Sequence, residues 1–378
     1  MRTTIFLLAA LAALAAASAH AATLDEALAA FRNHDYAGAS DGLGPLAAQG
    51  DVTAESLLGI MYAQGLGVGR DNTQALIWLR KAADQGNAEA ETNLAVMVAS
   101  GQGTRPDYAQ AASWFAKAAA QGDARAQFNL GNAYFSGQGV AKDYTQAIAW
   151  WSKAAAQGNA VAANNIGSLY QRGGGTTRDY AQAAVWYGKA AEAGDAVAQE
   201  NLAGLYARGE GVTQDDAQAA AWYLKAAQQG RMIDQMVMAT LYSLGKGVPQ
   251  SDSNAALWAR HAADGGLPQA QVFLGTRYEA GKGVPQDDAQ AADWYGKAAR
   301  QGSAQGELHL GRLYFSGKGV PQDNVQAYMY LSLATTHGLP PDPEATLQMA
   351  AARMTPDDLK RARAATQDYQ AQHPWTSQ

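Results

Sequence analysis

The chain has 378 residues and no cysteine, which excludes structural disulfides, thiolate zinc sites and a cysteine nucleophile. Its formal charge of -6, from 28 basic and 34 acidic residues, argues against nucleic acid or anionic lipid as a partner. Hydrophobic residues make up 48% of the chain, which is enough for a large core, whereas 40 glycines are too many for a plain globular helical protein.

The first 21 residues have the composition of a secretory signal peptide. Arg2 precedes an apolar run over residues 5–17, and Ala19 to Ala21 supply the small residues of a cleavage site. This run is shorter than the roughly 20 residues that span a bilayer, and no later stretch approaches that length, so we expect no integral membrane span. No cysteine stands at the cleavage site to take a lipid. We therefore expect a periplasmic or secreted protein.

The chain repeats itself every 36 residues from residue 51 to 338. Glycine precedes the first unit at position 50 and closes each of the eight units, at positions 86, 122, 158, 194, 230, 266, 302 and 338. Two more glycines recur inside each unit, from Gly65 and Gly67 to Gly317 and Gly319. A tryptophan recurs likewise, with tyrosine in its place in the eighth unit. Eight copies without insertion predict one supersecondary structure used eight times.

One unit, which ends at Gly158, indicates a pair of helices. Asp123 can cap the first helix, whose apolar side chains recur every three or four residues, and Gly137 ends it. Asp143 then opens a second helix, in which Trp150 is predicted to face inward. Because one such pair buries too little surface to be stable alone, we predict an all-α fold. It is an α-solenoid, a right-handed superhelix of stacked 36-residue helical hairpins.

The segments that flank the eight repeats are predicted to cap them. Residues 22–50 keep the helical periodicity but lack the Gly-x-Gly loop, which predicts an N-terminal capping helical hairpin. Prolines break the chain after the eighth repeat, and residues 339–378 then predict two C-terminal capping helices, the second opened by Thr355. Polar caps are what a repeat array needs at its ends.

The repeated pattern resembles the Sel1-like repeat. From Ala124 to Gly158 it reads Ala-x-Ala-x-x-Asn-Leu-Gly-x-x-Tyr-x-x-Gly-x-Gly-Val, followed by Asp-Tyr-x-x-Ala-x-x-Trp-x-x-Lys-Ala-Ala-x-x-Gly. That family is a longer-loop relative of the tetratricopeptide repeat. Its members act as adaptors and scaffolds, in bacteria in envelope signalling, exopolysaccharide control and host contact. A cysteine-rich branch linked to β-lactam binding or hydrolysis differs from this chain, which has no cysteine.

The sequence offers no catalytic, cofactor or metal site. The Gly-x-Gly loop follows a helix and lacks the third glycine of a dinucleotide loop, and the recurring Trp and Tyr have the spacing of core residues. Of the six histidines, His20 belongs to the predicted signal peptide. The other five occupy unrelated register positions, and we interpret them as scattered surface residues: His34, His261, His309, His337 and His373. Paired acids such as Asp215 and Asp216 stand where helix caps need them. We therefore predict a protein that is not an enzyme and needs no cofactor.

Candidate partner-binding residues lie at variable positions of the first helix of each unit, on the predicted concave surface. Aromatic, amide, acidic and thioether side chains alternate there, a mixture that is not typical of a core. The candidates are Arg125, Phe128, Asn132, Phe135, Asn164, Glu200, Met236 and Phe315. The alternative is that the aromatic members pack against the neighbouring helix. Met236 belongs to a Met-rich sixth unit, which is either a binding patch or a compensation for lost alanine packing.

Two functions fit these residues. The resemblance implies a non-enzymatic scaffold of the bacterial cell envelope that binds a protein or peptide, in envelope signalling or host contact. The alternative is an accessory protein of cell-wall or exopolysaccharide metabolism that binds a peptidoglycan or polysaccharide chain. A glycan site needs exposed aromatics beside acids and amides, and Phe128 with Asn132 is the pair that suggests one.

Overall fold

A computed structural model describes residues 23–338 and 342–372, which form helices joined by loops and contain no strand. The predicted signal peptide lies outside these residues. Within them, no helix combines the length and the apolar character that crossing a membrane requires. Chain contacts separate two compact units, the first ending at Asp179 and the second beginning at Tyr180.

The described part of the first unit contains nine helices. They are α1 (Leu24–Arg32), α2 (Tyr36–Ala48), α3 (Val52–Gln64), α4 (Asn72–Asp84), α5 (Ala88–Ser100), α6 (Tyr108–Ala120), α7 (Ala124–Ser136), α8 (Tyr144–Ala156) and α9 (Ala160–Arg172). Consecutive helices of this unit pack side by side, which gives the stacked hairpins of an α-solenoid and confirms the predicted fold class.

The described part of the second unit contains eleven helices. They are α10 (Tyr180–Glu192), α11 (Ala196–Arg208), α12 (Asp216–Gln228), α13 (Met232–Leu244), α14 (Asp252–Asp264), α15 (Pro268–Ala280), α16 (Asp288–Ala299), α17 (Ala304–Ser316), α18 (Asn324–Thr336), α19 (Asp342–Ala352) and α20 (Pro356–Gln372). Both α19 and α20 pack against α18.

Capping residues set the ends of the helices. The Asp123 carboxylate accepts a hydrogen bond from the Ala126 amide at 2.7 Å, and Asp143 caps α8 in the same way. Gly137 ends α7 in the left-handed conformation, with φ of +76°, and its amide donates to the Ala133 carbonyl. The two helices predicted for this unit are therefore confirmed, and so is the glycine that separates them.

The second glycine of each loop ties one repeat to the preceding repeat. Gly139 has φ of +77°, and a Cβ atom built on it would lie 2.0 Å from the carbonyl oxygen of Tyr108, the first residue of α6. Gly67 makes the same approach to the start of α2, and Gly211 makes it to the start of α10. The Gly-x-Gly pattern therefore serves the contact between consecutive hairpins.

The deepest aromatic position is one residue beyond the predicted one. Trp151 is 2% exposed, and its indole Nε1 donates to the Phe128 carbonyl at 3.2 Å and to Asn132 Oδ1 at 3.1 Å. A Cβ atom built on Gly131 would lie 2.4 Å from Trp151 Cδ1, so the ring occupies the space that the glycine leaves. Small residues on the first helix thus admit a large residue from the second.

The recurring tryptophan itself is only half-buried in most repeats. The Lys153 ammonium lies 3.8 Å from the centre of the Trp150 ring, which gives a cation–π contact three residues along the same helix. The same contact recurs for the pairs Lys81–Trp78, Lys117–Trp114, Lys189–Trp186, Lys225–Trp222 and Lys297–Trp294. Trp150 therefore packs against a buried cluster, as its predicted inward orientation requires, while the lysine covers one face of its ring.

A buried polar contact links the two helices of a repeat. Gln157, which follows α8, donates from Nε2 to Oε1 of the buried Gln127 at 3.0 Å. The equivalent bonds are Gln85 to Glu55 and Gln121 to Glu91 in the first unit, and Gln229 to Gln199 and Gln301 to Gln271 in the second. Each contact satisfies a side chain that burial would otherwise leave without a partner.

The last repeat carries a titratable version of this contact. Glu307 is fully buried, and His337 Nδ1 lies 2.9 Å from its Oε2. Burial raises the pKa of Glu307 to about 8 and lowers the pKa of His337. The prediction that the histidines are surface residues was therefore wrong for His337, which takes the place of the glutamine and is half-buried.

We expect Glu307→Gln to abolish a loss of stability at alkaline pH. The folded pair keeps one proton up to about pH 8, whereas the two unfolded side chains hold one proton between pH 4.5 and 6.5 and none above. The free energy of unfolding should therefore change little from pH 5 to 6.5 and fall from pH 6.5 to 8. Without the carboxyl group, that fall should disappear.

Urea unfolding of both proteins at pH 5, 6.5 and 8 measures this difference. Both proteins share every other titrating group, so the difference between their curves isolates the pair. A parent protein whose stability stays level from pH 6.5 to 8 would contradict the assigned burial.

Candidate functional site

Two neighbouring pockets, of about 370 and 420 Å³, open on the first unit. Helices α5, α6 and α7 enclose the first, and α7, α8 and α9 enclose the second. Their walls use the same positions of consecutive repeats, so that Phe115 and Asn129 in the first correspond to Trp151 and Asn165 in the second. Asn132 lines both. We name them the paired pockets.

Two of the predicted binding residues, Asn132 and Phe135, meet in the second of the paired pockets. Phe135 is 41% exposed, and its ring centre lies 5.6 Å from that of Tyr144 and 5.4 Å from that of Trp151. Packing on these rings fixes the Phe135 side chain while leaving much of it accessible. Such a preordered, accessible aromatic is suited to anchoring a partner.

The other predicted residues of the first unit lie outside the pocket walls. Arg125 is exposed and donates from Nη2 to Asn93 Oδ1 at 3.2 Å, which links α7 to α5. Phe128 is half-buried beside the bond that its carbonyl accepts from Trp151. Asn164 is half-buried on α9. The Phe128 side chain is therefore less accessible than that of Phe135.

The predicted residues of the second unit lie on three different helices and are engaged by neighbours. Glu200 on α11 forms an ion pair with Arg231. Met236 on α13 packs against a buried cluster that includes Ala239. The Phe315 ring on α17 is covered by the Arg353 guanidinium, whose centre lies 4.3 Å from the ring centre.

Two asparagines that the sequence analysis did not select stand in the pocket walls. Asn129 lines the first pocket and Asn165 the second, each half-buried and one repeat apart. Their side-chain amides make no hydrogen bond with another described residue. Asparagine at this position recurs in several units, which made it look like part of the repeat framework. Because this asparagine recurs, the sequence pattern did not identify its amide as a surface group.

Arg172 is the one charged side chain among the residues that line the paired pockets. Residues 88–179, which enclose them, carry seven basic and six acidic side chains, so the net negative charge of the chain lies elsewhere. Acids of this segment are also engaged locally. Asp107 and Asp143 cap helices, and the buried Glu91 accepts a bond from Gln121. The pocket walls are therefore neutral to basic.

In one part of the second unit, from α15 to α17, the positions equivalent to Phe135, Trp151 and Asn165 are occupied by the titratable residues Glu279, Tyr295 and His309. The Tyr295 hydroxyl donates to Glu279 Oε2 at 2.8 Å, and His309 stacks on the Tyr295 ring with 4.6 Å between ring centres. Burial raises the pKa of Tyr295 and lowers that of His309. His309 is half-buried, so the surface prediction was also wrong for this residue.

Metal chemistry finds little support in the described residues. Within them, no three His, Cys, Asp or Glu side chains come together in a way that would hold a metal ion. The Glu279 and His309 pair supplies only two such groups, with His309 Nδ1 4.0 Å from Glu279 Oε2.

Comparison with known proteins identifies the repeat. The family model described as Sel1 repeat matches the chain eight times, at residues 52–87, 88–123, 124–159, 160–195, 196–230, 235–267, 268–303 and 304–344. No curated protein matches the chain.

Two solved structures are similar over most of their length. One is a protective antigen present in uropathogenic Escherichia coli strains, which displays an SLR fold. It is 33% identical, with 95% of this chain and 94% of that chain covered and a TM-score of 0.53. The other is a Sel1 repeat protein from Oxalobacter formigenes. It is 34% identical, with 81% of this chain and 89% of that chain covered and a TM-score of 0.64.

Proposed function

Since this chain belongs to the Sel1 repeat family, whose members generally mediate protein–protein interactions, we propose that it is a non-enzymatic adaptor that binds a protein partner at the paired pockets. The observation that carries the proposal is the accessible Phe135, held in place by Tyr144 and Trp151 beside two pockets in consecutive repeats. Because the helices are already ordered, little conformational entropy of this surface is lost when a partner binds.

We further propose that the adaptor works in the bacterial cell envelope or outside it. The charged start, short apolar run and small-residue cleavage site of residues 1–21 support export to the periplasm or the medium. The similarity to a protective antigen of uropathogenic Escherichia coli supports a role in contact with a host. Envelope signalling is the other role that this location suits.

We expect Phe135→Ala to weaken partner binding about tenfold, because an aromatic anchor of this kind contributes roughly 1–2 kcal/mol or more. The purified protein is immobilised, exposed to envelope extract of the source cell, and the retained species are identified by mass spectrometry. A matched control is Ile77→Ala, which removes a 44% exposed apolar side chain from α4, outside the pockets.

One protein retained in stoichiometric amount by the parent and by Ile77→Ala, but lost from Phe135→Ala, supports the adaptor proposal. Retention of glycan fragments alone would instead favour an accessory role in cell-wall or exopolysaccharide metabolism. Equal retention by all three proteins would move the binding surface away from Phe135.

A further inference from the structure

We propose that the paired pockets recognise an extended acidic peptide segment, with Asn129 and Asn165 bonding its main chain and Arg172 pairing with one of its carboxylates. This inference rests on the proposed function and specifies the chemistry of the partner. It draws on the free amides and on the charge of the walls.

The two amides are suited to a peptide main chain. Each asparagine side chain offers an acceptor and two donors, which match the N–H and C=O groups of an extended chain. Asn129 and Asn165 are half-buried and make no bond with another described residue, so a partner can satisfy them without breaking an existing contact. Asn132 differs, because its Oδ1 already accepts from Trp151. The free amides therefore stand at equivalent corners of the two pockets.

Charge complementarity selects an acidic segment over a basic one. Arg172 is the single charged group in the pocket walls, and the Lys142 ammonium lies 4.8 Å from the ring centre of Tyr144, which lines the second pocket. Four of the six acids of residues 88–179 are engaged locally, because Asp107, Asp123 and Asp143 cap helices and the buried Glu91 accepts from Gln121. The exposed Glu89 does not line either pocket. A carboxylate that enters the second pocket therefore meets a guanidinium without a competing acid in the walls.

The test begins with a phage library of random 12-residue peptides, selected on the immobilised purified protein. We expect the selected peptides to be enriched in Asp and Glu at least twofold over the library. A synthetic copy of the strongest binder is then titrated by fluorescence anisotropy. Replacing both Asn129 and Asn165 by alanine should raise Kd about tenfold, and Arg172→Gln should raise it while flattening its dependence on salt.

Matched controls separate recognition from folding. Asn254→Ala removes an exposed asparagine on α14, and Arg105→Gln removes an exposed arginine that does not line the pockets, so both should leave Kd unchanged. Thermal melts show whether the pocket variants remain folded. Selected peptides without acidic enrichment, a failed selection, or a Kd that ignores the pocket variants would overturn the inference. If envelope capture still yields a partner that depends on Phe135, the adaptor proposal survives that failure.

Discussion

Gly131→Ala is expected to destabilise the first unit by about 1–3 kcal/mol, the usual cost of overpacking a core. The added Cβ would lie 2.4 Å from Trp151 Cδ1 and 2.6 Å from Trp151 Nε1, closer than any real contact of this kind. The buried indole would have to move, and it would then lose the bonds that it donates to Phe128 and Asn132. The clash and the loss of these hydrogen bonds both lower the free energy of unfolding.

The matched control for this substitution is Gly188→Ala. Gly188 lies within α10, and a Cβ atom there would meet nothing within 4 Å. Because alanine favours a helix more than glycine does, we expect Gly188→Ala to stabilise its unit by about 0.5–1 kcal/mol. Urea midpoints followed by tryptophan fluorescence compare the two variants. Equal effects of the two substitutions would mean that Trp151 has room to move, and the packing described for it would then be wrong.

Gly139→Ala is expected to cost even more, because its Cβ would meet main chain and not a side chain. The new atom would lie 2.0 Å from the carbonyl oxygen of Tyr108, at the start of α6. Relief requires α6 and the loop to separate, which opens the contact between two hairpins. We expect a loss of about 1–2 kcal/mol from the left-handed conformation, and about 1–3 kcal/mol more from the clash.

Gly158→Ala separates these two contributions. Gly158 has a similar φ of +90°, but a Cβ atom there would meet nothing within 4 Å. The Gly158→Ala variant should therefore lose only the stability that the left-handed conformation costs, about 1–2 kcal/mol. Thermal or urea unfolding of the two variants gives the difference directly. A Gly158→Ala variant as unstable as Gly139→Ala would show that the loop contact contributes nothing beyond backbone conformation.

Recurrence in the sequence predicted the helices well because it marks residues that every repeat needs. Asp123 and Gly137 cap and end a helix wherever they recur, so the bounds of α7 follow from them. The recurrence of a residue does not show how deeply its side chain is buried. Position 151 carries residues as different as leucine, phenylalanine and tryptophan across the repeats, yet it is the buried one, whereas the constant Trp150 is only half-buried.

Residues of the candidate site could be predicted where they depart from the repeat pattern. Residues that conform to the pattern were not recognised as part of the site. Phe135 and Asn132 stood out as variable, and both line the second pocket. Asn129 conforms to the pattern and was read as framework, although its amide is free. His337 was missed for another reason. The role of His337 depends on Glu307, which lies 30 residues away in the chain. Only the packed hairpin shows that these two residues replace the glutamine contact of the other repeats.

The loop glycines also give the chain a direction of assembly. Gly139 rests on Tyr108, which precedes it by 31 residues, and Gly67 rests on Tyr36 in the same way. In both cases the surface that receives a hairpin belongs to a segment synthesised earlier. A chain that emerges from a ribosome or a translocation pore with its N-terminus first can therefore complete each hairpin on a finished predecessor, without waiting for residues still to come.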